Sequence, residues 1–196
     1  MNSTRTYTMT ARARSVEQTR TRILDATFAL HSERLAGDIA LDDVAERAGV
    51  SVQTVLRHFG NRDGLVRATV EHARTRVVEE RQAPVGDVRA AVRVIVDHYE
   101  RRGEGVLVLL AQEGTEGFVR EITDRGRQLH REWVAAVFAP YLPGAGDSAA
   151  DPDGGALLDL LVVATDVYTW KLLRRDRGLT RADTEARMLR LVEALL

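Results

Sequence analysis

The chain has 196 residues, 44% of them hydrophobic and 29% charged, with a formal net charge of −1. That is a globular composition with enough apolar material for a core. It contains no cysteine, which excludes disulfides and thiolate metal sites and points to a reducing compartment. The N-terminus has no apolar leader-like run, and the longest apolar stretch, Ala156 to Ala164, is short and broken by Asp159. These features predict a cytoplasmic protein that does not cross a membrane.

Residues 1–14 are rich in Thr and Arg without periodic apolar positions, and the expectation is a disordered basic arm. The near-neutral total hides a local bias: across residues 1–22, Arg5, Arg12, Arg14, Arg20 and Arg22 face Glu17 alone. Phosphate binding needs cations only where protein meets nucleic acid. Ser15-Val-Glu-Gln18 has the form of a capping box and is expected to start the first helix. Its buried stripe is Ile23, Leu24, Thr27, Phe28 and Leu30. Leu35 to Ala40 reads as a loop.

Leu41 to Phe59, LDDVAERAGVSVQTVLRHF, reads as two short helices joined by a tight corner. Val44, Ala45 and Ala48 form the inner face of the first helix. Gly49 supplies the positive φ that a sharp corner requires. Ser51 stands where the second helix needs an N-cap, and Val55 and Phe59, four apart, point inward. Val52, Gln53, Thr54, Arg57 and His58 are left on or beside the outer face. A helical hairpin of an ordinary bundle also accepts a glycine corner, but has no need of Gln, Thr, Arg and His together outside. The spacing predicts a helix-turn-helix whose second helix faces the DNA major groove.

Gly60-Asn61 stops that helix, and a fourth begins at Arg62-Asp63-Gly64-Leu65 and runs to about residue 81, linking the unit to the C-terminal helices. Ala83-Pro84-Val85-Gly86 breaks it. A fifth helix from Asp87 carries Val88, Ala91, Val92, Ile95, Val96 and Tyr99. Gly103 and Gly105 are expected to interrupt it before a short apolar turn over Val106 to Ala111. Thr115 to Ala139 is long and amphipathic, and Pro140 to Gly155 reads as a flexible loop. Gly155 to Arg174, apolar on more than one face, must be covered on several sides. A last helix after Thr180 carries Ala186, Leu189, Val192 and Leu196. No segment has a strand period. The expectation is an all-α fold of about nine helices: an arm over 1–14, a DNA-binding domain over 15–66 with its linking helix to about 81, and a second helical domain over 82–196.

From Thr21 to Ala73 the chain resembles the TetR family of transcriptional repressors. VAERAGVS and HF followed by NRDGL are the most diagnostic pieces. The segment TWKLLRRDRGLTRADTEARMLRLVEALL also looks like a tail found in some members. The resemblance implies a homodimer on double-stranded DNA at a palindromic operator, paired through the last two helices. It also implies a C-terminal pocket for a small-molecule effector, here unknown. Carried onto this chain, it places Val52, Gln53 and Thr54 at base edges after Ser51, His58 at a phosphate, and Arg62 near the backbone in place of the usual lysine. Leu56 and Arg57 depart from the usual aromatic pair, and Arg57 becomes a substitute phosphate contact or a guanine reader. Ala40 replaces the usual capping Ser or Thr of the motif's first helix.

Tyr99, Leu107, Phe118, Trp133, Tyr168 and Trp170 are the candidate pocket-lining residues, with Glu113, His130 and Asp166 as candidate polar groups. Core packing is the plainer role for most aromatic residues at helical spacing. His98, His130, Glu113 and Asp166 are the only acid–base candidates in this half, and they lack metal-ligand spacing of the HExxH kind. No Gly-rich phosphate loop or nucleophile elbow is present, and no cofactor is expected. An enzyme is therefore disfavoured, and the competing reading is a helix-turn-helix protein controlled by a protein partner without a small-molecule effector.

Overall fold

The computed structural model describes residues 3–34, 36–114, 117–143 and 155–196, without the side chains of residues 3–12, 36 and 118. All regular structure among them is helical, and the fold is all-α. The chain divides into two compact units, Met1–Thr75 and Arg76–Leu196.

In the first unit, α1 (Ser3–Glu33) is followed by a 3₁₀ turn (Ala36–Asp38), then α2 (Leu41–Ala48), α3 (Val52–Phe59) and the start of α4 (Arg62–Glu80). The expected helix start at Ser15 is not found. The backbone is already helical there, and the Ser15 carbonyl accepts a hydrogen bond from Thr19 Oγ1 at 2.9 Å. A capping-box pattern marks a start only if the preceding residues leave the helix. Ile23, Leu24 and Leu30 of α1 pack with Ile39, Val44, Ala45, Ala48, Val55 and Leu65 into one core. Burying each such aliphatic side chain contributes about 1.5–3 kcal/mol. Polar ties surround that core. Arg47 forks onto Glu33 (3.1 and 2.5 Å), Arg34 meets Asp43 (3.3 Å), and His72 of α4 meets Asp25 of α1 (2.8 Å).

The second unit is built on α5 (Val88–Gln112). Around it lie α6 (Gly117–Val137), α7 (Ala156–Ala164), α8 (Val167–Lys171) with a π-helical turn over Leu172–Asp176, and α9 (Arg181–Glu193). The expected interruption at Gly103 and Gly105 does not occur, and α5 runs through both. Gly103 is there for close approach: a Cβ on it would lie 2.6 Å from Cζ3 of Trp170. Conversely, the expected single helix over 155–174 is broken at Thr165 and Asp166. Asp166 restarts the chain as the N-cap of α8, accepting from Tyr168 N at 2.8 Å. The core gathers Val92, Ile95, Val96 and Tyr99 with Val134, Phe138, Leu161, Trp170, Met188 and Val192. Thr180 caps α9 as expected. The expected loop over Pro140 to Gly155 falls mostly on residues 144–154, outside the described residues.

Candidate nucleic-acid interface

The α2–α3 corner is a closed hydrogen-bonded motif. Gly49 adopts φ 65° and ψ 43°, its N–H donates to Glu46 O (3.1 Å), and Val50 N donates to Ala45 O (2.9 Å). This pair of bonds satisfies the last carbonyls of α2 and is available at low cost only with glycine at the left-handed position. At the other end of α2, Ala40 cannot cap, but the Asp43 carboxylate accepts the Ala40 N–H at 2.7 Å. That retains the reciprocal half of a capping box and places a negative charge in the first turn, where the helix dipole favours it.

Ser51 Oγ accepts the Thr54 N–H at 3.2 Å and lies 3.0 Å from Thr54 Oγ1. The Thr54 hydroxyl is thereby occupied, leaving its methyl as the group free to meet a base. Val55 is fully buried, while Phe59 is half-buried with the Arg20 guanidinium 5.5 Å above its ring. Gln53, Leu56, Arg57 and Arg62 are exposed, and Val52, Thr54 and His58 half-buried. Gln53 and Arg57, four residues apart and one turn from each other, make no side-chain hydrogen bond or ion pair among the described residues. A short capped helix therefore presents an amide and a guanidinium on one uncommitted outer face, with a methyl and an imidazole beside them.

The junction after α3 holds two determinants that periodicity does not reveal. Gly60 (φ 79°) ends the helix, and Asn61 Oδ1 caps α4 by accepting Gly64 N at 2.8 Å. A Cβ on Gly64 would collide with the carbonyl oxygen of Phe59. The glycine of the NRDGL segment is thus a packing requirement of the α3–α4 turn.

In the second unit, Tyr99 and Trp170 are core residues with their rings 6.0 Å apart. The Tyr99 hydroxyl donates to Thr165 O (3.1 Å) and Trp170 Nε1 to Glu100 (2.9 Å). Trp133 is half-buried and donates to Arg81 O at 2.6 Å, Leu107 is half-buried, and Tyr168 is exposed. The Phe118 side chain lies outside the described residues. Glu113 pairs with Arg127 at the surface, whereas His130 is buried against Thr165 and the Val162 carbonyl.

Beside them stands a cluster that sequence spacing did not signal. Glu80, the last residue of α4, accepts from Arg102 Nε (2.8 Å) and from His98 Nδ1 (3.1 Å). The Arg102 hydrogen bond holds the Glu80 carboxyl down at about 2. Burial, with the Arg81 charge assisting, pushes both His98 and His130 down to about 3, so both rings are neutral at physiological pH. Among the described residues, no group of three or more His, Asp or Glu side chains is placed to hold a metal, and no helix is long and apolar enough to cross a membrane.

A capped, outward recognition helix set on a glycine corner defines a helix-turn-helix transcriptional regulator. Residues 23–69 match the profile of the bacterial regulatory proteins of the tetR family. The chain is 29% identical over 152 residues to the HTH-type transcriptional regulator BetI of Burkholderia ambifaria, covering 71% of this chain and 78% of that one. A transcriptional regulator from Rhodococcus sp. Rha1 shares the fold with a TM-score of 0.64 at 18% identity, over 90% of this chain and 95% of that one. A tetR-family transcriptional regulator from Streptomyces coelicolor does so with a TM-score of 0.63 at 18% identity, over 90% and 81%. The chain is thus similar to helix-turn-helix transcriptional regulators of the tetR family, with the family profile matched over residues 23–69.

Proposed function

We propose that the protein is a cytoplasmic repressor that binds a palindromic operator as a homodimer and is released by a small-molecule effector. The observation that carries the DNA-reading part is the uncommitted Gln53–Arg57 face of α3 on a helix capped by Ser51. Gln53 suits adenine, Arg57 the guanine edge, and the Thr54 methyl a thymine methyl. Ser51 and Val52 bring the start of α3 to the groove. His58 and Arg62 hold phosphates and set register.

One such helix reads too few bases for specificity, so a twofold dimer on two half-sites is needed. Leu160 and Val163 of α7, Leu172 after α8 and Leu191 of α9 are large apolar residues exposed in the single chain. They support pairing through these last helices. Release follows by linkage: an effector that favours the DNA-incompetent state lowers operator affinity by its differential affinity for that state. The ion cluster that fixes the end of α4 within the second unit gives such a ligand something to act on.

The test is selection of DNA from a random pool by the full chain at one stated salt concentration. A recovered palindrome with half-sites about one helical turn apart is the expected result. Sequence-blind binding alone, or a monomer on that DNA in sedimentation, overturns the reading.

A further inference from the structure

Arg81, the first residue after α4, is 8% exposed and has no carboxylate partner among the described residues. Its one side-chain hydrogen bond there is a long one, Nη1 to His130 Nδ1 at 3.5 Å, and its buried Nε has no partner. The neutral His130 ring accounts for that contact. Its Nε2 faces the Val162 carbonyl (3.4 Å) and Thr165 Oγ1 (3.2 Å), and that hydroxyl itself donates to Leu161 O (2.7 Å). Nε2 therefore carries the hydrogen, and Nδ1 is a lone pair turned to the guanidinium. The remaining compensation for the Arg81 charge is the Tyr99 ring, whose centroid lies 5.7 Å from Cζ, and the through-space fields of Glu80 and Asp166. A guanidinium cannot shed its proton, and a buried cation is costly unless paired and hydrogen-bonded.

The neighbouring cations are already matched: Arg102 with Glu80, Arg174 with Glu100, and Arg127 with Glu113. Arg81 is the exception, and the surfaces around it are aromatic. His130 and Trp133 stack with centroids 5.8 Å apart, and Trp133 is tied to the Arg81 carbonyl.

We propose that Arg81 anchors a small-molecule site within the second unit that takes an organic monocarboxylate with an apolar body. The side-on Nε–Nη2 edge of a guanidinium matches a carboxylate in two parallel hydrogen bonds, and the stacked rings receive the body. One unmatched positive charge takes one negative charge. The nearby Asp166 carboxyl, whose field reaches Arg81, disfavours a dianion such as a phosphate monoester. The Nε atom is closed off from solvent, so the ligand reaches it only by shifting the side chains packed around Arg81. That work makes the site responsive rather than a passive cavity. This inference rests on the effector reading and specifies the chemistry of the effector.

The experiment uses the full chain with benzoate, hexanoate and indole-3-acetate, each against its uncharged amide at equal ionic strength. Melting temperature and tryptophan fluorescence are read, since both tryptophans, Trp133 and Trp170, lie in the second unit. The expected result is that at least one carboxylate raises the melting temperature and saturates, binding about tenfold or more tightly than its amide. Arg81→Met is expected to abolish that binding while melting at or above the wild-type temperature without ligand, because it removes an unpaired buried charge.

The proposal is overturned if no carboxylate outperforms its amide, if Arg81→Met binds as before, or if Arg81→Met melts far lower and so shows a structural role. Operator release is measured in parallel. A carboxylate that binds without releasing DNA leaves the site standing and removes the effector reading. A compound that releases wild type and Arg81→Met alike leaves the effector reading and removes the site.

Discussion

The two units solve opposite electrostatic problems with the same helical material. The first keeps its polar chemistry outside: Gln53 and Arg57 are exposed, with no side-chain partner among the described residues, above a core of aliphatic and alanine side chains. Its buried Thr27, His31 and Thr69 bond to carbonyls of their own helices. The second carries polar chemistry inside: Arg81, His98 and His130 are buried, and Glu80, Arg102 and Glu100 half-buried among them. A DNA-reading surface must meet charged phosphates through water and needs no buried charge. A buried cluster is costly unless every member is satisfied, which makes it sensitive to whatever completes it.

The largest effect on that contrast is expected from two glycines. Gly64→Ala drives a Cβ into the Phe59 carbonyl and is expected to cost about 3 kcal/mol, the upper end for overpacking. Operator binding should be lost while tryptophan fluorescence, which reports the second unit alone, stays native. Gly103→Ala pushes instead against the buried Trp170 ring and is expected to cost about 1–3 kcal/mol, with the tryptophan signal disturbed. If the two substitutions gave the same pattern, the units would not be separable in this way.

Acid should separate the units next. His98 and His130 are held at about 3 when folded, against 6.5 when free. Between those values the unfolded chain binds more protons, so stability is full above about pH 6.5 and falls as pH drops towards 3. Glu80, held at about 2 against 4.5, removes more below pH 4.5. Asp166, raised by burial, works the other way and softens the slope. Urea midpoints followed by tryptophan fluorescence are expected to decline steadily from pH 6.5 to 4. A flat midpoint over that range would contradict the buried neutral histidines.

A smaller effect belongs to the cap. Ser51→Ala removes the acceptor of the Thr54 N–H and is expected to cost about 1 kcal/mol of local stability. Hydrogen exchange in α3 is the direct readout, and unchanged protection there would show that packing of Val55 alone holds the helix.

The same contrast explains how much was legible in the sequence. The α2–α3 corner could be read because its determinants are local: Gly49 at the positive φ, Ser51 at the cap, and Val55 and Phe59 one turn apart. The second unit depends on partners far along the chain. Gly103 looks like a helix breaker until Trp170 is placed against it, and Arg81 looks like a solvated helix end until His130 and Tyr99 enclose it. Asp166 restarts a helix that periodicity alone carries straight through, and Ser15 caps nothing because the helix precedes it. Tyr99 and Trp170, candidates for a pocket lining with core packing as the plainer role, are buried in the core, and no local pattern separates an aromatic that packs from one that waits for a ligand.

That the outer face of α3 reads DNA is tested most directly by the base preference of Arg57→Ala on the selected operator. The expected result is several-fold weaker specific binding with relaxed preference at one position of each half-site, worth about 1–3 kcal/mol, and an unchanged helical spectrum. Affinity and base preference equal to wild type would contradict it.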